Sequence, residues 1–485
     1  VISGGVNVVN KIGRRAALGV LAAGAAGVAG AAFLPRHSPA VADAVSAGSD
    51  WSSLSALLGD RLVLPSDARY EQERVPFNLL HADRRPAALA HVRTPEEVRA
   101  CLGFARSAGM PVAARSGGHS YAGYSTPQDG LVVALDGLNG VEVHSDGTAS
   151  VGPGARLGDL YAALARSGRC LPAGSCPSVG VGGLALGGGI GPLTRMYGLT
   201  CDRLVSARVV TGSGRAVTAS ADSEPELFWA LRGGGGGNFG IVTSLRLATA
   251  PAPRLAVFSL KFPAGTTADV FGAWQDWLAG APRELWTNCT ISAGEPPKAR
   301  VAGCFVGSAA QLDPLLDDLE RRAGVRPSAR TVRSRDFLDA MRYFAGSSDK
   351  QGFAASSVVL RQRAEPTTVE GLVTGSAGLD VIVDGLGGAV GDIAPGDTAF
   401  PHRDAMATAQ IYASAKPGAA GSATARVRRV RDRLRDVAGT GAYVNYIDPD
   451  QPTGDYYGTH LSRLRSVAAT YDPDRVLAFP QSVAA

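Results

Sequence analysis

The most constraining feature of the chain is a set of glycine-dense segments that do not read as linkers. GSCPSVGVGGLALGGGIGP, residues 174–192, holds eight glycines in nineteen residues, and RGGGGGNFGIVTSLRL follows at 232–247. Glycine loses more backbone freedom on folding than any other residue. A dense run is therefore costly unless backbone must pass close to something or take positive φ. Flexible linkers fill their gaps with serine and charge, whereas these segments fill them with Val, Leu, Ile and Phe, which indicates packed backbone. A third glycine turn, RSGGHSYAGYS at 115–125, sets His119, one of only seven histidines, directly after an apolar run. Histidine is the side chain that most often does chemistry near neutral pH.

Two of these segments fit dinucleotide fingerprints, Gly235–Gly240 as GxGxxG and Gly180–Ala185 as GxGxxA. Such a fingerprint needs a strand before it and a helix after it. The first is followed by the strand-like IVTSLRL and the second is preceded by CPS, so a Rossmann NAD site has little support. Several glycine turns between strand-like pieces fit a different arrangement. A long anionic cofactor lies across a domain, its pyrophosphate held by backbone N–H groups.

The remainder of the chain frames that site. At 485 residues two or three domains are expected. Hydrophobic residues make up 45% and charged ones 19%, the balance of a folded globular protein. The net charge of +5 falls to +2 without residues 1–44, which carry Lys11, Arg14, Arg15, Arg36 and Asp43. No basic run interleaved with aromatics points to nucleic acid. Residues 1–44 read as an export signal of twin-arginine type: KIGRR at 11–15, a mild apolar run from Ala16 to Leu34, and the small-residue stretch AVADA at 40–44. The alternative, a membrane-anchor helix, would insert only marginally with so much Ala and Gly. Secretion is the expectation. The six cysteines form no CxxC pair and there is no HExxH, so no metal is expected. Cys289 and Cys304 are candidates to pair across a hairpin in an exported protein.

Local signals predict a helix after Thr94, with Pro95 at its first position, Glu97 completing the cap and Gly109 ending it. Strands are expected at 131–138, hairpins at 141–155 and 201–220, and a helix at 155–168. Pro251 and Pro253 mark a boundary. Beyond it strands are expected in LAVFSLKF, TNCTISAG and LDVIVDGLGGAVG, with helices near 266–279 and 308–323. ARVRRVRDRLRDVAG at 425–439 reads as a basic helix with a solvated face. YVNYID at 443–448 reads as a strand, followed by a helix near 456–469.

The motifs RSGGHSYAGYS, GSCPSVGVGGLALGGGIGPLTRMYGLTCDRL at 174–204, RGGGGGNFGIV at 232–242, FPHR at 400–403, YVNYID and YYGTHLSRLRSVAATYDPDRVLAFPQSV at 456–483 together resemble the berberine-bridge-enzyme-type FAD-linked oxidases of the vanillyl-alcohol-oxidase (PCMH) superfamily. The resemblance covers nearly everything after the leader. It implies an α+β fold: a PCMH-type FAD-binding domain of two α/β subdomains, plus a substrate-binding domain with an antiparallel sheet backed by helices. The implied divisions are 45–250 for the FAD domain, 251–439 for the substrate domain, and 440–485 for a C-terminal segment completing the first.

The same resemblance implies FAD attached covalently twice, through His119 to the 8α-methyl and Cys176 to C6. Imidazole and thiolate are suitable nucleophiles for both bonds. The cofactor-binding residues it implies are Arg115, Ser116, Gly117, Gly118 and Ser120 of the first motif. From the second come Ser178, Val179, Gly180, Gly182, Gly183, Gly188 and Gly189, and from the others Gly240, Ile241, Val242 and Asn445. The resemblance places Val179 where oxidases of the family tend to have a small residue beside the oxygen-reactive face, which implies an oxidase rather than a dehydrogenase.

Oxidation of an alcohol needs a base for the hydroxyl proton. The resemblance implies a tyrosine of YVNY as that base: Tyr446 is preferred and Tyr443 is second, either one favoured as tyrosinate by a nearby Arg or by the flavin. In a strand the two would face opposite sides, so a shared pocket needs a turn or bulge. Asp384 corresponds to an Asp that supports the base in carbohydrate-oxidising relatives, although a turn-capping role suits it equally. His402 and Asn445 are expected to hold the fold and the flavin ring.

The expected activity is oxidation of a hydroxyl of a sugar, oligosaccharide or natural product, with hydride passing to FAD and oxygen reduced to hydrogen peroxide. The alternative on the same fold is a secondary-metabolite tailoring oxidase performing oxidative cyclisation or amine oxidation. A flavin-containing electron-transfer protein and an NAD(P)-dependent dehydrogenase are the rivals from other classes.

Overall fold

The computed structural model describes residues 50–485; the leader expected at 1–44 lies outside them. The chain first builds a four-stranded sheet from β1 (Leu62–Val63), β2 (Ala88–His91), β3 (Val112–Arg115) and β4 (Leu131–Ala134). Its order is β1-β2-β4-β3, with β2 and β3 both parallel to β4. β2 and β3 run the same way on either side of β4, so the chain must cross over between them, and helix α1 (Pro95–Ser107) supplies that connection. Thr94 Oγ1 accepts from the Glu97 N–H at 3.2 Å, the expected cap. Val98, Leu102 and Ala105 then bury against Leu131 and Val133.

The second sheet is antiparallel. Its strands are β5 (Val141–Val143), β6 (Thr148–Val151), β7 (Leu204–Thr211), β8 (Ala216–Ser220) and β9 (Gly240–Ala248), in the order β5-β6-β9-β7-β8. Helix α2 (Leu157–Arg166) packs Leu157, Leu160 and Leu164 into the core it shares with Val209 and Leu245. The glycine-dense segment forms a short helix, α3 (Val181–Gly187), whose Val181, Ala185 and Leu186 join the same core.

Residues 255–414 form a seven-stranded, wholly antiparallel sheet. Its strands are β10 (Leu255–Lys261), β11 (Leu285–Ser292), β12 (Lys298–Val306), β13 (Ala329–Arg335), β14 (Phe353–Leu360), β15 (Leu379–Gly385) and β16 (Ala407–Ser414). The order is β13-β10-β12-β11-β15-β16-β14. Side chains alternate between faces along each strand. Val381, Val383 and Ile411 point to one side, where they pack with Trp274, Leu316 and Val427 from α4 (Thr267–Ala279), α5 (Ala309–Ala323) and α6 (Ala420–Ala438). Helix α6 turns its apolar stripe inward, as expected, and pairs Arg428 with Asp450 at the surface and Arg435 with Asp455 in a part-buried contact. No helix among the described residues is long and apolar enough to cross a membrane.

Three expectations are corrected. YVNYID is not a strand: Val444–Tyr446 is a single 3₁₀ turn. The helix near 456–469 is two pieces, Thr453–Tyr457 and Leu461–Tyr471. Cys289 and Cys304 do not pair, because the register sets them opposite Val301 and Trp286 and both thiols are free.

Two buried cations join the sheets. Arg403 forms a bidentate pair with Asp202 at 2.9 and 2.7 Å. Arg195 donates to the carbonyls of Leu285 at 2.7 Å and Ala281 at 2.8 Å. The last residues return to the glycine turns: Tyr457 Oη donates to Gly234 O and the Val483 N–H to Asn238 Oδ1, each at 3.0 Å.

Candidate active site

The glycine turns meet backbone on backbone. A Cβ on Gly117 would lie 2.3 Å from the Gly180 nitrogen, and one on Gly180 would lie 2.2 Å from the Gly117 nitrogen. RSGGHSYAG and CPSVGVGG are thereby locked together, at the wall of a cavity of about 610 Å³. Ser116, Gly117, Gly118, His119, Ser120, Cys176, Val179, Gly180, Gly182 and Gly183 line it, as do Gly240, Ile241, Val242, Asn445 and Tyr446. Arg115, Ser178, Gly188 and Gly189, expected to touch cofactor, do not line it. The Gly189 N–H is instead taken by Tyr443 Oη at 2.8 Å, and Ser178 stands behind the wall as a hydrogen-bond hub.

At one end His119 and Cys176 converge on that hub. Ser178 Oγ lies 3.0 Å from His119 Nε2 and 3.4 Å from Cys176 Sγ. His119 stacks on Phe77 with ring centroids 3.8 Å apart. Burial, helped by the charge of Arg156, pulls its pKa down to about 4, so the imidazole is neutral and nucleophilic at ordinary pH. Cys176 is half-buried. The other five cysteines are buried and inert, with the Cys101 and Cys170 thiols pushed up to about 12 by desolvation.

Between the two ends the backbone is bare. A Cβ on Gly183 would meet nothing within 4 Å, and one on Gly236 or Gly237 would make its nearest contact at 3.7 or 3.8 Å. Side chains there would fill a cradle that glycine leaves open to a flat, extended anion. With two nucleophilic side chains at one end, these residues fit FAD.

At the other end stands Tyr446. The 3₁₀ turn puts residues three apart on one side, so Tyr443 and Tyr446 pack edge to face at 5.0 Å. Only Tyr446 lines the cavity. Tyr443 Oη accepts from the Gly189 N–H and from Asn445 Nδ2, each at 2.8 Å, which ties it to the scaffold. Tyr446 stacks on Tyr121 at 5.3 Å, and Tyr121 Oη in turn accepts from Gln410 Nε2. Burial, with the charge of Asp384 second, raises the Tyr446 phenol well above its ordinary range. No Arg is among the groups that act on this phenol. Asp384 is itself buried, and desolvation pushes its carboxyl up to about 7 against a hydrogen bond from Asn288, its partner across β11 and β15. His402 is buried, with Nε2 against Ala442 O at 2.8 Å and outside the cavity wall.

The sequence reading missed Phe77, Tyr121, Gln351, Phe353, Gln410 and Tyr412, all of which line the cavity. Tyr121 sits inside a glycine motif and was within reach. The others come from ordinary loop and strand patterns that only the sheet register brings together.

Comparison with known proteins agrees with this geometry. An FAD binding domain family matches residues 86–220, and the berberine and berberine-like family matches 442–484. The FAD-linked oxidoreductase YgaK of Bacillus subtilis (strain 168) is 33% identical over 442 residues, covering 88% of this chain and 97% of that protein. A chitooligosaccharide oxidase of Gibberella zeae is 32% identical over 468 residues, covering 87% and 92%. Among solved structures, Physcomitrella patens BBE-like 1 superposes with a TM-score of 0.85 at 28% identity, over 90% of this chain and 99% of that one. A glucooligosaccharide oxidase of Acremonium strictum, described as carrying 6-S-cysteinyl, 8α-N1-histidyl FAD, superposes with a TM-score of 0.81 at 27% identity, over 89% and 99%. With relatives of that identity along most of its length and a glycine cradle built for FAD, the chain belongs to the berberine-bridge-like FAD-linked oxidases of the PCMH superfamily and is an FAD-linked oxidoreductase.

Proposed function

We propose that the protein is an exported oxidase with FAD attached through both His119 and Cys176, and that it oxidises a hydroxyl of a sugar or oligosaccharide to a carbonyl. The observation that carries the reading is the convergence of a neutral imidazole and a half-buried thiol on one hydroxyl, that of Ser178. Ser178 takes Nε2, which leaves His119 Nδ1 as the nitrogen free to bond. Carbohydrate and oligosaccharide oxidases among the relatives support the substrate class. FAD, when bound, supplies the acceptor for the substrate hydride, and dioxygen returns it to the oxidised form with release of hydrogen peroxide.

The chain's own residues handle position and protons. The glycine turns at 117–118, 180–183 and 235–237 line the cavity and would present backbone N–H groups to the cofactor. Tyr446 takes the hydroxyl proton. Because burial keeps its phenol protonated, its own proton must leave as the new one arrives, and Asp384, half ionised near neutrality, is the acceptor. Tyr443 holds the turn that aims Tyr446. In this reading residues 45–250 with 440–485 form the flavin lobe, 251–439 form the substrate lobe, and the leader at 1–44 is a twin-arginine signal.

Acid-precipitated protein is expected to stay yellow, and its intact mass to carry one FAD. A colourless pellet with the bare-chain mass would overturn the attachment. Tyr446→Phe is expected to lower kcat by about 10²–10⁴-fold with the flavin spectrum intact, whereas Tyr443→Phe lowers Tm first. Full activity in Tyr446→Phe removes it as the base.

A further inference from the structure

The floor of the cavity, facing the glycine turns, is the helix-free face of the seven-stranded sheet. Asp380, Ile382 and Asp384 alternate onto this face from β15, and the register sets Tyr412, Gln410 and Thr408 of β16 opposite them. Asp380, Ile382, Gln410 and Tyr412 line the cavity. Asp380 is the only acidic side chain among the lining residues, and with His119 neutral it carries the lining's only formal charge.

The neighbouring polar groups are already engaged. Gln410 Nε2 donates to Tyr121 Oη, and Tyr412 Oη donates to Gln351 Oε1 at 3.1 Å. The Asp380 carboxylate belongs to none of the ion pairs among the described residues. Basic groups do lie on the His119 side, but outside the lining: Lys350 Nζ donates to Val75 O at 2.7 Å, Arg156 to Ser178 O at 3.1 Å, and half-buried Arg115 is likewise not among the lining residues. Beside Asp380 the Tyr412 ring stacks on Phe353 at 5.0 Å and 24°, and Phe353 meets the edge of Tyr121 at 5.0 Å.

A substrate laid on this floor strips water from an unpaired carboxylate, which is unfavourable unless the substrate replaces that water. Sugar hydroxyls replace it in part. An ammonium replaces it with opposite charge, and the adjacent aromatic faces attract the same cation. A carboxylate on the substrate meets repulsion.

We propose that Asp380 makes this cavity selective for a substrate bearing a protonated amine, an amino-sugar unit, over its neutral counterpart, and that it excludes uronates. The inference rests on the sugar-oxidising reading of the cavity. It is tested on the holoenzyme by peroxide release with tetramers of glucosamine, N-acetylglucosamine, glucose and glucuronate, below the pKa of the amine. The ratio of kcat/KM for the glucosamine tetramer to that for the glucose tetramer is expected to be about tenfold or more, expressed in KM and shrinking with added salt. In Asp380→Asn that ratio is expected to collapse at least fivefold. A wild-type ratio near one, or a ratio that Asp380→Asn leaves in place, overturns the proposal. Flavin absorbance and Tm of the variant exclude misfolding as the cause.

If no sugar of any charge reduces the flavin or releases peroxide, the sugar reading fails separately. The charge preference is then read by perturbation of the flavin spectrum with benzylammonium, benzyl alcohol and benzoate. Tighter binding of the cation in wild type alone sustains it, and equal binding of cation and alcohol overturns it.

Discussion

Ser178 does not touch the cavity, yet it governs both residues proposed to hold the flavin. Once Nδ1 of His119 is bonded, its Nε2 is free to accept a proton, and the Ser178 hydroxyl between Nε2 and Cys176 Sγ is then a path for the thiol's proton; the thiolate is the reactive form of cysteine. In Ser178→Ala the attachment through His119 is expected to persist while the bond at Cys176 fails in most molecules. Denaturation with iodoacetamide and peptide mapping reads this directly, as alkylation of Cys176. Asp384 makes a second prediction. Its carboxyl, pushed up to about 7 by burial, keeps its proton below that pH and cannot accept one; above it, the carboxylate can. Activity should therefore rise with pH through about 7, and Asp384→Asn should be slow with that limb absent. The places of His119, Cys176 and Tyr446 on the cavity wall were legible in the sequence because each sits in a motif that carries the family resemblance. Asp380 and Tyr412 were not, since an alternating strand reveals two faces but not which one meets a ligand.

Helix α3 separates two kinds of glycine that the sequence shows identically. Gly180, at its N-cap, is pressed against the Gly117 nitrogen and, at 1.9 Å from its would-be Cβ, Ser116 Oγ. Neither the backbone nor the locked turn can yield, so Gly180→Ala is expected to cost about 3 kcal/mol and to lose flavin. Gly183, one turn on, faces open space. Gly183→Ala is expected to fold at least as stably, since alanine is the better helix former, while cofactor loading falls. Thermal unfolding with absorbance at the flavin band distinguishes the two. The Tyr443–Tyr446 turn shows the opposite limit of sequence reading. Its spacing fits a strand, but a group that holds it is distant in sequence: Ser357 Oγ accepts the Tyr443 N–H at 2.9 Å.

Across the whole molecule the active cavity belongs to neither sheet system alone, because glycine turns form one wall and the seven-stranded sheet the other. Its geometry depends on what holds those walls in register, chiefly the Arg403–Asp202 pair and the carbonyls gathered by Arg195. Asp202→Ala strands a buried guanidinium and is expected to cost about 3–5 kcal/mol in denaturant unfolding. The sequence could signal the change of character near Pro251 but not these clasps, since their partners lie as far apart as residues 202 and 403.

The bond between Val483 and Asn238 also sets a clock. Asn238 is translated 245 residues before its partner, roughly 10–50 s earlier at ordinary ribosome speeds. Throughout that interval the glycine crevice exists without its final brace. Any flavin binding that needs this brace can begin only once residue 483 has emerged, in whichever compartment then holds the chain.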